Sequence, residues 1–94
     1  MKVSWQEQAL VDLDEALAYI SEDNPTAALK LVAEIFASAD QMLSEHPFAG
    51  RQGRVEGTRE IVMHKSYVLA YRVEPDSVQI LSVVHNARLW PTGF

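Results

Sequence analysis

Three runs in the C-terminal half, residues 58–64, 67–74 and 77–85, constrain this chain more than anything else in it. They are rich in β-branched and aromatic residues and are separated by turn formers. Segments of that length and spacing predict strands joined as a three-stranded antiparallel meander. Period-two alternation puts Arg59, Ile61 and Met63 on one face and Glu60, Val62 and His64 on the other. In the next run Tyr67, Leu69, Tyr71 and Val73 oppose Val68, Ala70 and Arg72. In the last, Val78, Ile80, Ser82 and Val84 oppose Gln79, Leu81, Val83 and His85. Both faces are apolar, so one is expected to pack on helices while the other needs a cover of its own.

The N-terminal half supplies those helices. Residues 2–5 predict a short first strand, and Ser4 with Glu7 three positions on has the spacing of a capping box. Leu10, Leu13, Leu17 and Ile20 recur at three- and four-residue intervals, predicting an amphipathic helix over 6–22. Asn24 is a good N-cap and Pro25 suits the first helical position, where its missing N–H is not needed. A second helix is predicted over 25–45, with Ala28, Leu31, Val32, Ile35, Ala39, Met42 and Leu43 as its apolar stripe. Two helices joined by so short a turn form an antiparallel hairpin. The fold class is therefore α+β, with order β-α-α-β-β-β and the hairpin packed on a mainly antiparallel four-stranded sheet. Leu13, Leu17, Ile35, Phe36, Leu69 and Ile80 are the expected core. Residues 47–57 hold three glycines and two arginines without periodicity and read as a loop. With no repeat or linker, residues 1–94 are expected to form one domain.

Composition narrows the class. Ninety-four residues with 48% apolar content can bury a modest core, and the absence of cysteine removes disulfides and thiolate metal sites from consideration. No stretch approaches the roughly 18 apolar residues of a membrane span, so a cytoplasmic protein away from membranes is expected. The net charge of −5 is unevenly divided. Residues 1–46 carry two lysines against nine carboxylates, a balance of −7, whereas residues 47–94 carry six cations against four carboxylates, a balance of +2. A negative whole-protein field makes a weak electrostatic footprint for nucleic acid. No glycine-rich loop opens a helix, and no His or carboxylate pair has metal-ligand spacing on one helix, so neither cofactor nor metal is expected. Ser66 and Ser82 have nearby histidines but no evident acidic third partner for a triad.

Taken in order, Trp5, Asp12-Leu13-Asp14-Glu15, Tyr19-Ile20 and the stretch from Asp23 through Ala28 lead into the strands. There Gly57-x-Arg59-Glu60, Tyr67-x-x-x-Tyr71-Arg72-Val73 and His85-x-Ala87-Arg88-x-Trp90-Pro91 complete a series that resembles the RelE/ParE superfamily of bacterial toxins. The resemblance covers nearly the whole chain. It implies a type II toxin neutralised by a small cognate antitoxin in a hetero-oligomeric complex, with an antitoxin segment as the natural cover for exposed apolar surface. Two targets are implied: RelE-like members cut mRNA on the ribosome, whereas ParE-like members poison DNA gyrase. A non-toxic antitoxin-binding module of the same fold is a further alternative.

Metal-independent RNA cleavage needs a base for the 2′-OH, an acid for the leaving oxygen and cations for the phosphorane. The residues available for it are His64, His85, Arg59, Arg72 and Arg88, with Lys65, Tyr67 and Tyr71 nearby. Ribonuclease members commonly place Arg where this chain has Val68, a lysine where Ile61 stands and a basic residue near Asn86. His85 alone matches a position where some carry a catalytic His or Lys. These departures, with the acidic total, favour the ParE-like branch and gyrase poisoning without catalysis. Arg59, Tyr71, Arg72, His85, Arg88 and Trp90 are then expected to recognise target or antitoxin. Ordinary roles compete: ion pairs of Arg59 and Arg72 with Glu56, Glu60 or Glu74, core packing for the tyrosines, and Trp90 anchoring the last strand.

Overall fold

The computed structural model describes residues 1–64, 67–85, 90–91 and 93–94. The chain forms β1 (Lys2–Trp5), α1 (Glu7–Ser21), α2 (Pro25–Glu45), β2 (Arg51–Gln52), β3 (Arg59–His64), β4 (Tyr67–Val73) and β5 (Ser77–His85). The strands make one mixed sheet in the order β1-β5-β4-β3-β2. The expected α+β architecture is present with five strands rather than four, because the loop after α2 adds the two-residue β2 to the edge of β3. β1 pairs with β5 in parallel, and the remaining pairs are antiparallel.

Local signals set the helix boundaries, with one exception. The Asn24 side chain accepts the Ala27 N–H at 3.1 Å and Pro25 opens α2, as expected of that pair. The capping box at α1 does not form. Ser4 is held in β1 opposite Gln79, so the helix starts after Trp5 with Gln6 as an N-cap that makes no side-chain capping bond. The Gln6 N–H instead donates to the Ile80 carbonyl at 2.9 Å, continuing the β1–β5 pairing into the helix entry.

The core lies between the helical hairpin and one sheet face. Ala9, Leu13 and Ala16 of α1 and Ile35, Ala39 and Leu43 of α2 meet Leu69, Tyr71, Val78, Ile80 and Val83. Two expected core residues sit differently: Leu17 is half-buried, and Phe36 is 45% exposed, stacked on Trp5 at a centroid separation of 4.8 Å. Alanines explain the rotation, because Ala9 and Ala16 let α1 lie close to β5 where a leucine stripe would hold it away. Leu10 accordingly turns outward, at 44% exposure.

Two bulges reset the faces of the sheet. Between β3 and β4 the register moves from Val62↔Val68 to His64↔Tyr67, leaving Met63 as the extra residue. Between β4 and β5 it moves from Ala70↔Ser82 to Tyr71↔Ile80, leaving Leu81. A one-residue slip exchanges the two faces for everything beyond it. Unbroken alternation is thereby corrected: Val83 and His85 join Val78 and Ile80 on the helix-covered side, Ser82 and Val84 join Val68 and Ala70, and His64 moves to the side of Tyr67. Val68, Ala70, Ser82 and Val84 are buried without any partner chain. Residues near the C-terminus lie along this second face, where Pro91, Gly93 and Phe94 border an open groove with Arg72, Ser82 and Val84. The second face is therefore not the bare surface that alternation implied. On this face Val62 remains exposed, and further apolar exposure lies on the helices, at Leu10, Val11, Tyr19, Leu29 and Phe36, and at Phe48 in the loop after α2.

Candidate functional site

The loop between α2 and β3 is tied down at Gly50. The Gly50 N–H donates to the Tyr71 hydroxyl oxygen at 2.8 Å, and Arg59 Nη1 donates to the Gly50 carbonyl at 2.8 Å. A side chain is excluded there, since a Cβ on Gly50 would lie 2.6 Å from the Glu60 carbonyl oxygen and 2.7 Å from the Tyr71 hydroxyl. Tyr71 is fully buried. Burial raises its phenol above the ordinary value, with the Gly50 bond and the Arg59 charge pulling the other way. Any part Tyr71 plays in recognition therefore passes through the loop it anchors. Arg59 spans the same anchor, with its guanidinium carbon 4.9 Å from the Phe48 ring centroid.

Glu60 organises the next turn of the loop. Its carboxylate is buried and accepts the Arg54 backbone N–H at 2.7 Å and Arg51 Nη2 at 3.1 Å, while Arg54 Nε lies 3.6 Å away. Glu60 is thus ion-paired with Arg51 and Arg54 rather than with Arg59. Arg54 also sits over Trp90, its guanidinium carbon 4.0 Å from the ring centroid. Trp90 Nε1 is buried without a hydrogen-bond partner among the described residues. Gly57, at φ +79°, closes the turn before Thr58 in a backbone conformation that favours glycine. Sequence reasoning did not single out Arg51, Arg54 or Phe48. Their signal was two arginines three apart in a glycine-rich loop, which acquires meaning only once Glu60 points into it.

A second cluster forms at the opposite end of β4. Tyr67 is buried and pairs with His64 on one side and His85 on the other, with ring-centroid separations of 6.5 Å and 5.0 Å. Tyr19, near the end of α1, meets His85 edge-on at 6.3 Å. The strands carrying the two histidines are not neighbours, yet both flank β4, and the bulges at Met63 and Leu81 put both rings on one face. Arg72 is half-buried on the other face, in the groove with Phe94. Arg88 and Lys65 lie outside the described residues. The described candidate residues thus fall into four places: Arg59 and Tyr71 at the loop anchor, His64 and His85 around Tyr67, Arg72 on the second face, and Trp90 against Arg54.

Asp12 entered the sequence reading only as part of a motif, off the apolar stripe of the first helix. It is buried on α1 and accepts from the Ser82 hydroxyl, from the Val83 N–H at 2.9 Å and from Gln8 Nε2 at 2.9 Å. Paired β1 ends opposite Ile80, so Val83 belongs to a stretch of β5 that none of the described strands covers on that side. Asp12 takes the place of the missing strand. Among the described residues no group of three or more His, Cys, Asp or Glu is placed to hold a metal ion, and no helix is long and apolar enough to cross a membrane.

Comparison with known proteins decides the family. A model of the ParE toxin of the type II toxin–antitoxin system parDE matches residues 3–90. The chain belongs to the ParE toxin family. Toxin RelE2 of Caulobacter vibrioides is 35% identical over 88 residues, covering 94% of this chain and 98% of that one. Y4kP of Sinorhizobium fredii, which carries a toxin name, is 43% identical over 91 residues, covering 96% and 93%. A chain of the chromosomal ParDE toxin–antitoxin system of P. aeruginosa superimposes with a TM-score of 0.80 at 28% identity, covering 90% of this chain and 95% of that chain. The YoeB/ParE toxin of Agrobacterium tumefaciens shares the fold, with a TM-score of 0.62 at 16% identity over 92% and 99% of the two chains. The family is thus one of toxins from type II toxin–antitoxin systems, on the α+β scaffold described above.

Proposed function

We propose that this ParE-family chain is the growth-inhibiting half of a cytoplasmic toxin–antitoxin pair and that, once released from its antitoxin, it poisons DNA gyrase rather than cutting mRNA. The observation that carries this reading is Val68, the second residue of β4 and only 1% exposed. Ribonuclease members of the superfamily resembling this chain commonly place an arginine there. A valine cannot stabilise phosphorane charge, and losing one such donor typically costs about 10²–10³ in rate. Arg59, another cation available for that role, is committed to the Gly50 and Phe48 carbonyls. The match to a ParDE system of P. aeruginosa supports the same branch.

The antitoxin is proposed to cover the apolar helix surface, where Leu29 is 63% exposed and Phe36 lies on Trp5 beside the β1 edge. Burying such residues removes apolar area from water at about 25 cal/mol per Å². Ribosome-dependent mRNA cleavage is the second reading, favoured by the placement of His64 and His85 on either side of Tyr67. Purified wild type and His85→Ala separate the two in paired assays of gyrase supercoiling and of mRNA cleavage on ribosomes. Gyrase inhibition retained in both proteins, with no cleavage, supports the proposal. Cleavage that His85→Ala abolishes, with gyrase untouched, overturns it. Growth unaffected by expression of the chain alone, with neither activity in vitro, replaces both readings by the non-toxic binding module.

A further inference from the structure

We propose that the loop over residues 48–60 is a contact surface for a single nucleic-acid strand, with phosphodiester groups held by Arg51 and Arg54 and an unstacked base held against Phe48. The proposal does not depend on the choice between gyrase and mRNA as target. It starts from the buried carboxylate of Glu60. Taking a carboxylate out of water is costly, and an ion pair repays that cost only with good geometry and further hydrogen bonds. Here the carboxylate is spent on two arginines whose side chains remain 56% and 55% exposed. The outcome is a pair of guanidiniums rooted on one anion, Arg54 backed by the Trp90 ring as well, with over half of each side chain presented to solvent.

Such rooting matters for binding. An arginine free in solvent loses side-chain entropy when a ligand immobilises it. Arginines already held by Glu60 and Trp90 have lost much of that freedom on folding. Guanidinium forks match phosphate oxygens in a bidentate geometry that a lysine does not offer. Phe48 is 63% exposed with Arg59 against its ring, so an aromatic ring stands at the surface beside a cation, in the same loop as Arg51 and Arg54. Cations with an exposed aromatic are the chemistry by which proteins hold single strands without reading sequence. An acidic peptide would use the cations but has no need of the ring.

Charge placement supports the same partner. Over residues 47–60 three arginines face Glu56 and Glu60, a local balance of +1, against −7 over residues 1–46. A polyanion is repelled by the helical half and tolerated at this loop. Two phosphates neutralised predict modest affinity and a shallow salt dependence, with log K falling against log salt with a slope of about −1.4.

The test is fluorescence anisotropy of the full-length chain with labelled oligothymidylate and oligouridylate of about ten nucleotides, titrated with salt from about 50 mM. Binding to one or both strands is expected, with the stated slope and a preference that identifies DNA or RNA as the natural strand. The double variant Arg51→Gln/Arg54→Gln should weaken binding by roughly tenfold or more and flatten the slope. Because it leaves buried Glu60 without its arginine side-chain partners, the surface variant Phe48→Ala serves as the second probe. It should weaken binding by roughly fivefold or more with the slope unchanged, as loss of a stacking platform does. Absence of binding to either strand, full binding by folded Phe48→Ala, or equal binding to poly-glutamate would each overturn the proposal.

Discussion

Replacing Asp12 by alanine tests how the sheet is closed on the α1 side. The carboxylate is buried and accepts from the Ser82 hydroxyl and the Val83 N–H, and Ser82 is itself only 5% exposed. Alanine therefore removes the acceptor from two donors that are largely withdrawn from solvent, although both border the groove. Each buried donor left unpaired costs about 1–3 kcal/mol, and bonds to a charged acceptor lie toward the upper part of the range. The serine hydroxyl can rotate towards another acceptor while the Val83 N–H cannot, so the expected loss is about 2–4 kcal/mol rather than the full sum. For a domain of this size total stability is about 5–14 kcal/mol, and a loss of that order lowers Tm by well over 8 °C. Urea unfolding of the full chain measures it as a shift in midpoint at constant m-value. The double variant Asp12→Ala/Ser82→Ala should recover part of the loss, with a coupling of about 0.5–3 kcal/mol, because the orphaned hydroxyl is gone. A single-variant cost under about 0.5 kcal/mol, or strict additivity with Ser82→Ala, would refute the reasoning that Asp12 closes the β5 edge.

Other perturbations follow from the loop anchor and the core. Tyr71→Phe leaves the Gly50 N–H unpaired and should cost about 1–3 kcal/mol by urea unfolding. Because the folded-state phenol is raised, wild type should lose stability as pH climbs past the ordinary tyrosine value, and this part of the alkaline loss should vanish in Tyr71→Phe; a pH series of urea midpoints reads both. Gly50→Ala drives a Cβ into the Glu60 carbonyl and should cost more than Tyr71→Phe, checked by thermal unfolding. Leu43→Ala, at a fully buried site, should cost about 2–5 kcal/mol, whereas Leu17→Ala, half-buried, should cost less in the same assay.

Much of the fold was legible in local pattern. Asn24 and Pro25 fixed where one helix yields to the next, because capping depends on residues a few positions apart. The period-two runs located β3, β4 and β5 because half-buried strands must alternate. The order of motifs from Trp5 to Trp90-Pro91 carries the resemblance to the toxin family in the sequence itself. Tertiary structure decided the rest. A bulge belongs to the pairing of two strands, so no single run reveals that Met63 and Leu81 are extra or that His64 and His85 turn towards Tyr67. The same holds for Asp12, whose β5 partners lie 70 and 71 residues away, and for Gly50, bonded to a tyrosine 21 residues on. Helix facing was also decided late, since Ala9 and Ala16 carry little hydrophobic signal yet allow the closest approach to β5. Periodicity is written into one segment of chain, whereas register, edge closure and the anchoring of a loop are agreements between segments and exist only after they meet.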